Sequence, residues 1–193
     1  MKAILMSIKP QHTCNILNDI KWWEIRKKFP KDYVGWVYIY CTKKYDECLW
    51  YKNDSKCYVL NYGKPTNDYL NGKVVARFWC DNVTEYINGG RWNSDNTFGS
   101  YDDYIKDNIL EQSCLTEEEL FAYCEDLSFK AIHITKLEIF DKPKEISEFA
   151  KQEFDSFISG QVEHYKYPLT RAPQSYCFIE VWLWKRNMIH FVS

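Results

Sequence analysis

Short runs of aromatic and β-branched residues, separated by turn residues at uneven intervals, constrain this chain more than any other feature. Trp36-Val-Tyr-Ile-Tyr-Cys41 and Lys73-Val-Val-Ala-Arg-Phe-Trp-Cys80 carry the residue types that suit a pleated, half-buried surface. Ala3 to Ile8 reads as a buried first strand that Pro10 ends. Lys21 to Lys28, Lys130 to Phe140 and Pro173 to Trp184 complete the strand set. Eight Trp, fifteen Tyr and eleven Phe in 193 residues weight the whole chain toward strands, and seven Gly with six Pro argue against low complexity. Helices are expected over Gln11 to Ile20, with Thr13 as a cap, and over Leu115 to Asp126, where Thr116 and Glu119 form a capping box. A third is expected over Glu145 to Ser159. Asn71-Gly72 signals a hairpin, and residues 88–103 and 161–172 read as loops. The fold class that follows is α+β: a small mixed β-barrel with a few peripheral helices and long loops. It is expected as a single domain over residues 1–193, with an insertion at about 42–70.

Charge and cysteine usage narrow the function classes. The net charge of −2 excludes a polyanion binder acting through overall charge, so any nucleic-acid contact has to come from a local patch. Lys21, Arg26, Lys27, Lys28 and Lys31 supply one, and acidic residues gather at Asp102-Asp103, Glu117 to Glu119 and Glu145 to Asp155. No signal peptide and no run of transmembrane length is visible, which implies a cytoplasmic protein without membrane association. The eight Cys are then expected as reduced, buried hydrophobes; none forms a C-x-x-C pair, and no metal or other cofactor is expected. His12, His133, His164 and His190 lack metal-ligand spacing, and nothing supports Cys177 as a nucleophile.

The chemistry concentrates in Lys21-Trp-Trp-Glu-Ile-Arg-Lys-Lys28, where two indoles and four cations surround one carboxylate. Strand alternation puts Trp22, Glu24, Arg26 and Lys28 on one face and Lys21, Trp23, Ile25 and Lys27 on the other, with Lys21, at the strand's start, still able to turn toward the first face. Trp22 would stack on a base, Glu24 would accept from a base edge, and Arg26 would pair with Glu24 or a phosphate. Ser7 and Lys9 would flank this region from the first strand. Arg171 offers a phosphate contact, and Gln174 and Ser175 offer polar groups from the turn after Pro173.

Three motifs in this order resemble the ASCH domain family of the PUA-like β-barrel superfamily. They are Ile4-Leu-Met-Ser-Ile-Lys-Pro10 before a short helix, Lys21-x-x-Glu24-x-Arg26 as the family's K-x-x-E-x-R core, and Arg171-Ala-Pro-Gln-Ser-Tyr-Cys177. The last looks like the R-P-P-Q-S-W-C segment of phage and bacterial members, and Ala131 to Glu145 is also similar to such proteins. The resemblance implies a module that binds RNA, single-stranded nucleic acid or a nucleotide, modified or plain, in a cleft lined by the core motif. Some family members are amidohydrolases that deacetylate N4-acetylcytidine; this implies Lys21 and Glu24 as catalytic residues if the chain is an enzyme of that kind or a ribonuclease. Glu24 stands where those enzymes carry Thr, and Trp22-Trp23 stand where small or β-branched residues are usual. A third possibility is a phage-type interaction protein that sequesters a host nucleotide signal or a host protein through its Tyr- and Trp-bearing loops.

Overall fold

The computed structural model describes residues 2–44, 46–51, 56–61, 69–158 and 161–180. In chain order the elements are β1 (Lys2–Ile8), α1 (Pro10–Leu17), β2 (Trp23–Arg26), β3 (Gly35–Cys41), β4 (Glu47–Tyr51) and β5 (Cys57–Asn61). There follow β6 (Val74–Cys80), β7 (Val83–Ile87), β8 (Gly90–Arg91), α2 (Asp103–Lys106), α3 (Ile109–Ser113) and α4 (Glu117–Tyr123). The last are β9 (Phe129–His133), β10 (Thr135–Lys144), β11 (Ala150–Ile158), β12 (Gln161–Pro168) and β13 (Tyr176–Glu180). The chain divides into two compact units. Met1–Leu17, Trp36–Phe78 and Leu137–Ser193 make the first; Asn18–Gly35 and Trp79–Lys136 make the second.

The first unit is built on β1. Ala3 to Ile8 are all buried, so the strand is covered on both faces, which is why its sequence runs apolar without alternation. It pairs parallel with β3, Ile4 opposite Val37, and antiparallel with β13, Met6 opposite Tyr176. The sheet order is β10-β6-β3-β1-β13-β11-β12. Ala3, Leu5, Tyr38, Tyr40, Val74, Phe149 and Ile179 form one core cluster. Pro10 begins α1 as well as ending β1, because its missing N–H and fixed φ suit a first helical position. Thr13 is buried inside that helix, with its hydroxyl directed at the Ile8 carbonyl at 3.4 Å, and does not cap it. From the stretch 42–70 the chain folds β4 against β5, and the Cys14 thiol of α1 donates to the Cys57 carbonyl at 3.3 Å. Asn71-Gly72 turns the chain without making the expected hairpin, since β5 pairs with β4 and β6 lies in the larger sheet. The Asn71 side chain explains the turn. It accepts from Leu49 N at 2.7 Å and donates to the Glu47 and Thr42 carbonyls at 2.9 and 3.2 Å.

The second unit carries the sheet β2-β9-β7-β8, antiparallel throughout. Ile25, Tyr86, Tyr104, Ile109, Leu120, Phe129 and Ala131 bury its core, with Tyr86 stacked on Phe129 at 4.8 Å between ring centroids. The capping box of α4 forms as read: Glu119 N donates to Thr116 Oγ1, and Thr116 N donates to the Glu119 carboxylate. The helix ends at Tyr123.

Four further expectations are corrected. The barrel does not close among the described residues: the larger sheet runs open from β10 to β12, and a barrel requires its end strands to pair. Of the helix expected over Glu145 to Ser159, residues 145–158 form no α-helix and Ser159 lies outside the described residues. The Glu145–Glu148 capping interaction closes one 3₁₀ turn at Ile146–Glu148, after which Ala150–Ile158 joins the sheet between β12 and β13. Within 161–172, residues 161–168 are strand, because β12 takes the free edge of β11. Lys130 to Phe140 is two strands in different sheets: β9 ends at His133, and β10 starts at Thr135, with Lys136 at φ 45°. Of the expected last strand, residues 181–184 lie outside the described residues. No helix among the described residues is long and apolar enough to cross a membrane.

Candidate functional site

The sequence-derived residues fall into two groups, one in each unit. In the second unit, Lys21, Glu24 and Arg26 form a buried ionic row. The Glu24 carboxylate lies 2.8 Å from an Arg26 guanidinium nitrogen and 3.5 Å from Lys21 Nζ. Only 1% of the Lys21 side chain and 6% of the Glu24 side chain meet solvent. Lys21 precedes β2, so strand alternation does not bind it, and its ammonium lies beside Glu24. Lys21 Nζ also donates to the Ser113 carbonyl at 2.5 Å, at the C-terminal end of α3, where the helix leaves carbonyls for a cation to satisfy. Burial pulls the Lys21 ammonium below the ordinary lysine pKa, and the Glu24 carboxylate opposes that shift.

Trp22 separates from this row. Its ring is half exposed while Glu24 and Arg26 are buried, so the three do not line one open face. Its backbone is pinned on both sides: Trp22 N donates to the Gln112 carbonyl and Ile134 N donates to the Trp22 carbonyl, each at 2.8 Å. The indole N–H reaches the Asp19 carbonyl at 3.2 Å. Trp23 is half buried, packs on the unit's core, and donates from its indole to Gln112 Oε1 at 2.6 Å. His133 lies against the Trp23 ring at 4.7 Å, and its Nδ1 sits 2.7 Å from an Asp81 carboxylate oxygen. After β2, Lys27, Lys28 and Lys31 are exposed, and Lys27 reaches over the Tyr123 ring at 5.5 Å.

The partners that sequence reasoning missed are Gln112 and Ser113. Three consecutive residues, Lys21, Trp22 and Trp23, each bond to this end of α3, and the Cys114 thiol adds a contact to the Ile20 carbonyl at 3.6 Å. No local signal could have found them, because about 90 residues separate the two segments and two of the acceptors are backbone carbonyls.

In the first unit the structure brings Ser7 to the segment before β13. Ser7 Oγ donates to the Pro173 carbonyl at 2.6 Å, and Ser7 N donates to the Ser175 carbonyl at 2.8 Å. Ser7 is buried, whereas Lys9, Arg171 and Gln174 are exposed and Ser175 is half buried. On the same unit Arg77 pairs with Glu138 at 2.7 Å, donates to the Tyr38 hydroxyl at 3.1 Å, and stacks on Trp36 at 4.0 Å. All eight cysteines are free thiols, and no group of metal-ligating side chains comes together among the described residues.

No family model and no curated protein matches the chain. Among solved structures it is similar to the ASCH protein of Zymomonas mobilis, at 12% identity and a TM-score of 0.45, over 95% of this chain and 88% of that one. A Ser-to-Ala variant of that protein gives 12% identity and a TM-score of 0.47, over 95% and 89%. A Tyr-to-Phe variant gives 11% and 0.44, over 76% and 77%.

Proposed function

We propose that the chain is a nucleic-acid- or nucleotide-binding module with RNA as its first candidate, centred on Trp22 and the cations that follow it. The observation that carries this reading is an exposed indole whose backbone is pinned on both sides, followed by exposed Lys27, Lys28 and Lys31. A ring held this way stacks on a base at little ordering cost, and the lysines meet phosphate. Base stacking contributes about 1–3 kcal/mol, whereas an exposed ion pair contributes at most about 1 kcal/mol. Trp22 therefore matters more than any one lysine. The buried Lys21–Glu24–Arg26 row anchors the segment. On the first unit, taken by itself, Lys9, Arg171, Gln174 and Ser175 are proposed as ligand contacts in their own right. Fluorescence anisotropy with a labelled oligouridylate, a single-stranded DNA and a panel of nucleotides tests the reading. Trp22→Ala should weaken binding about tenfold or more, and Lys28→Ala by a few-fold. Binding of every probe unchanged by Trp22→Ala would overturn it.

A second reading rests on Lys21. An amine whose pKa is lowered by burial is a stronger candidate base at neutral pH, and Glu24 sits beside it as an acid/base group. That arrangement favours an amidohydrolase acting on N4-acylated cytidine. Against it, Lys21 Nζ is already engaged by the Ser113 carbonyl. Incubation with N4-acetylcytidine decides: cytidine and acetate that vanish with Lys21→Met support it, and no product at high protein concentration ends it.

A further inference from the structure

The second unit carries an aromatic surface that the proposed function does not use. Trp92 is 60% exposed, Phe98 46% and Tyr101 79%. Trp92 and Phe98 meet edge to face at 5.2 Å and join in a β-bridge, so the two rings stand together on one small loop. That loop is held by its own bonds. Asn93 N donates to the Thr97 carbonyl at 2.9 Å, and Gly99 N donates to the Arg91 carbonyl at 2.9 Å. The Asp95 carboxylate accepts from Thr97 N at 3.0 Å and from Thr97 Oγ1 at 2.6 Å. The start of the loop's return is seated close on glycine. Gly89 has φ +80°, and a Cβ there would stand 2.0 Å from the Tyr101 carbonyl, so the conformation requires glycine. The exposed rings are thus fixed before any partner arrives, which removes much of the ordering cost of binding.

The charge around the rings states which partner they suit. From Arg91 to Asp107 four carboxylates stand against Arg91, which pairs with Asp107, and Lys106, which pairs with Asp102 and Asp103, so this segment keeps a net charge of −2, with Asp95 free of any cation of its own segment. Asp95 is exposed within the loop itself, and its bonds from Thr97 hold its pKa below the usual aspartate value, so it stays ionised. Phosphate backbones are repelled from such a surface. An arginine or lysine side chain is attracted by the carboxylates and binds the face of an indole or phenyl ring.

We propose that the Trp92–Phe98 loop, with Asp95, is a docking surface for an Arg- and Lys-bearing segment of another polypeptide. It is separate in sequence and opposite in charge to the Trp22 region. The test uses the full chain and two labelled decapeptides, one alternating Arg and Ala and one alternating Glu and Ala, followed by anisotropy at low and moderate salt. The basic peptide should bind and the acidic peptide should not. Trp92→Ala, which leaves the net charge unchanged, should weaken the basic peptide about fivefold or more, and Asp95→Asn should weaken it by a few-fold. Circular dichroism matching the parent identifies the folded variants, and Phe98→Ala gives a second reading of the aromatic contribution. Trp22→Ala should leave peptide binding unchanged, so this proposal stands or falls apart from the one before it. Peptide affinity indifferent to both Trp92→Ala and Phe98→Ala would overturn it, because bulk negative charge would then account for the binding. Concentration-dependent dimerisation lost in Trp92→Ala, with no peptide binding, would assign the surface to a second copy of the chain and overturn it as well.

Discussion

Glu24 is the residue on which the second unit's electrostatics turn. It lies between two buried cations, and desolvated charges are tolerated only while their partners remain. Glu24→Gln leaves Lys21 and Arg26 buried without their anion and should lower stability by about 3–5 kcal/mol, measured by urea unfolding. Lys21→Met should cost less than half as much, because Glu24 keeps Arg26 and the methionine fills the space. Equal losses from the two variants would mean that Glu24 does not hold the row together. Lys21, Glu24 and Arg26 were legible as a set through their resemblance to the K-x-x-E-x-R motif. The sequence also placed Trp22 on their face by strand period, and that failed. β2 begins only at Trp23, so Trp22 takes its direction from bonds to Gln112 and Ile134.

At the scale of elements, the short helix α3 organises the start of β2. Its last turn supplies acceptors to Lys21, Trp22 and Trp23 in succession. Gln112→Ala removes the acceptor of the Trp23 indole but keeps the backbone bond to Trp22. It should cost about 1 kcal/mol and shift tryptophan emission as the Trp23 ring loses its partner. Gln112→Glu, which keeps an acceptor oxygen, should restore the emission toward the parent; no difference between the two variants would remove Gln112 from this role. The capping box of α4 was readable because Thr116 and Glu119 are three residues apart and need nothing else. The same local cue at Glu145 and Glu148 forms its interaction too, yet only one turn follows, because pairing with β12 and β13 decides the state of Ala150–Ile158.

At the scale of the molecule, two properties can be measured directly. Three exposed lysines after β2 imply a shallow salt dependence: the slope of log affinity for single-stranded RNA against log salt should be about −2, and a slope near zero would exclude phosphate contacts by this strip. Burial pushes the Cys41, Cys57 and Cys80 thiols up to about 12 from 9.0. It also pushes the Tyr104 phenol up to about 12 from 10.0. Between those limits the folded chain keeps protons that the unfolded chain releases, so these groups take stability away as pH rises from about 9 toward 12. Lys21 works the other way below 10.5, since its lowered pKa makes the folded chain bind fewer protons. Four raised groups outweigh one lowered group, and the urea midpoint under reducing conditions should fall steadily above pH 9. A midpoint that stays level to pH 11 would show that these groups are not buried in solution.

The sequence alone determined what depends on neighbours along the chain: that Ala3–Ile8 is a strand buried on both faces, that Thr116 starts a helix, and that Lys21, Glu24 and Arg26 share a spacing. Tertiary structure decided what depends on partners far away. It opened the sheet where a barrel was expected, sent Ala150–Ile158 into a ladder, and recruited Gln112 and Ser113 to hold Lys21, Trp22 and Trp23. The physical reason is the same each time. Side-chain period and capping act over a few residues, whereas strand partners and backbone acceptors are assigned only when distant segments meet and every buried polar group must find a bond.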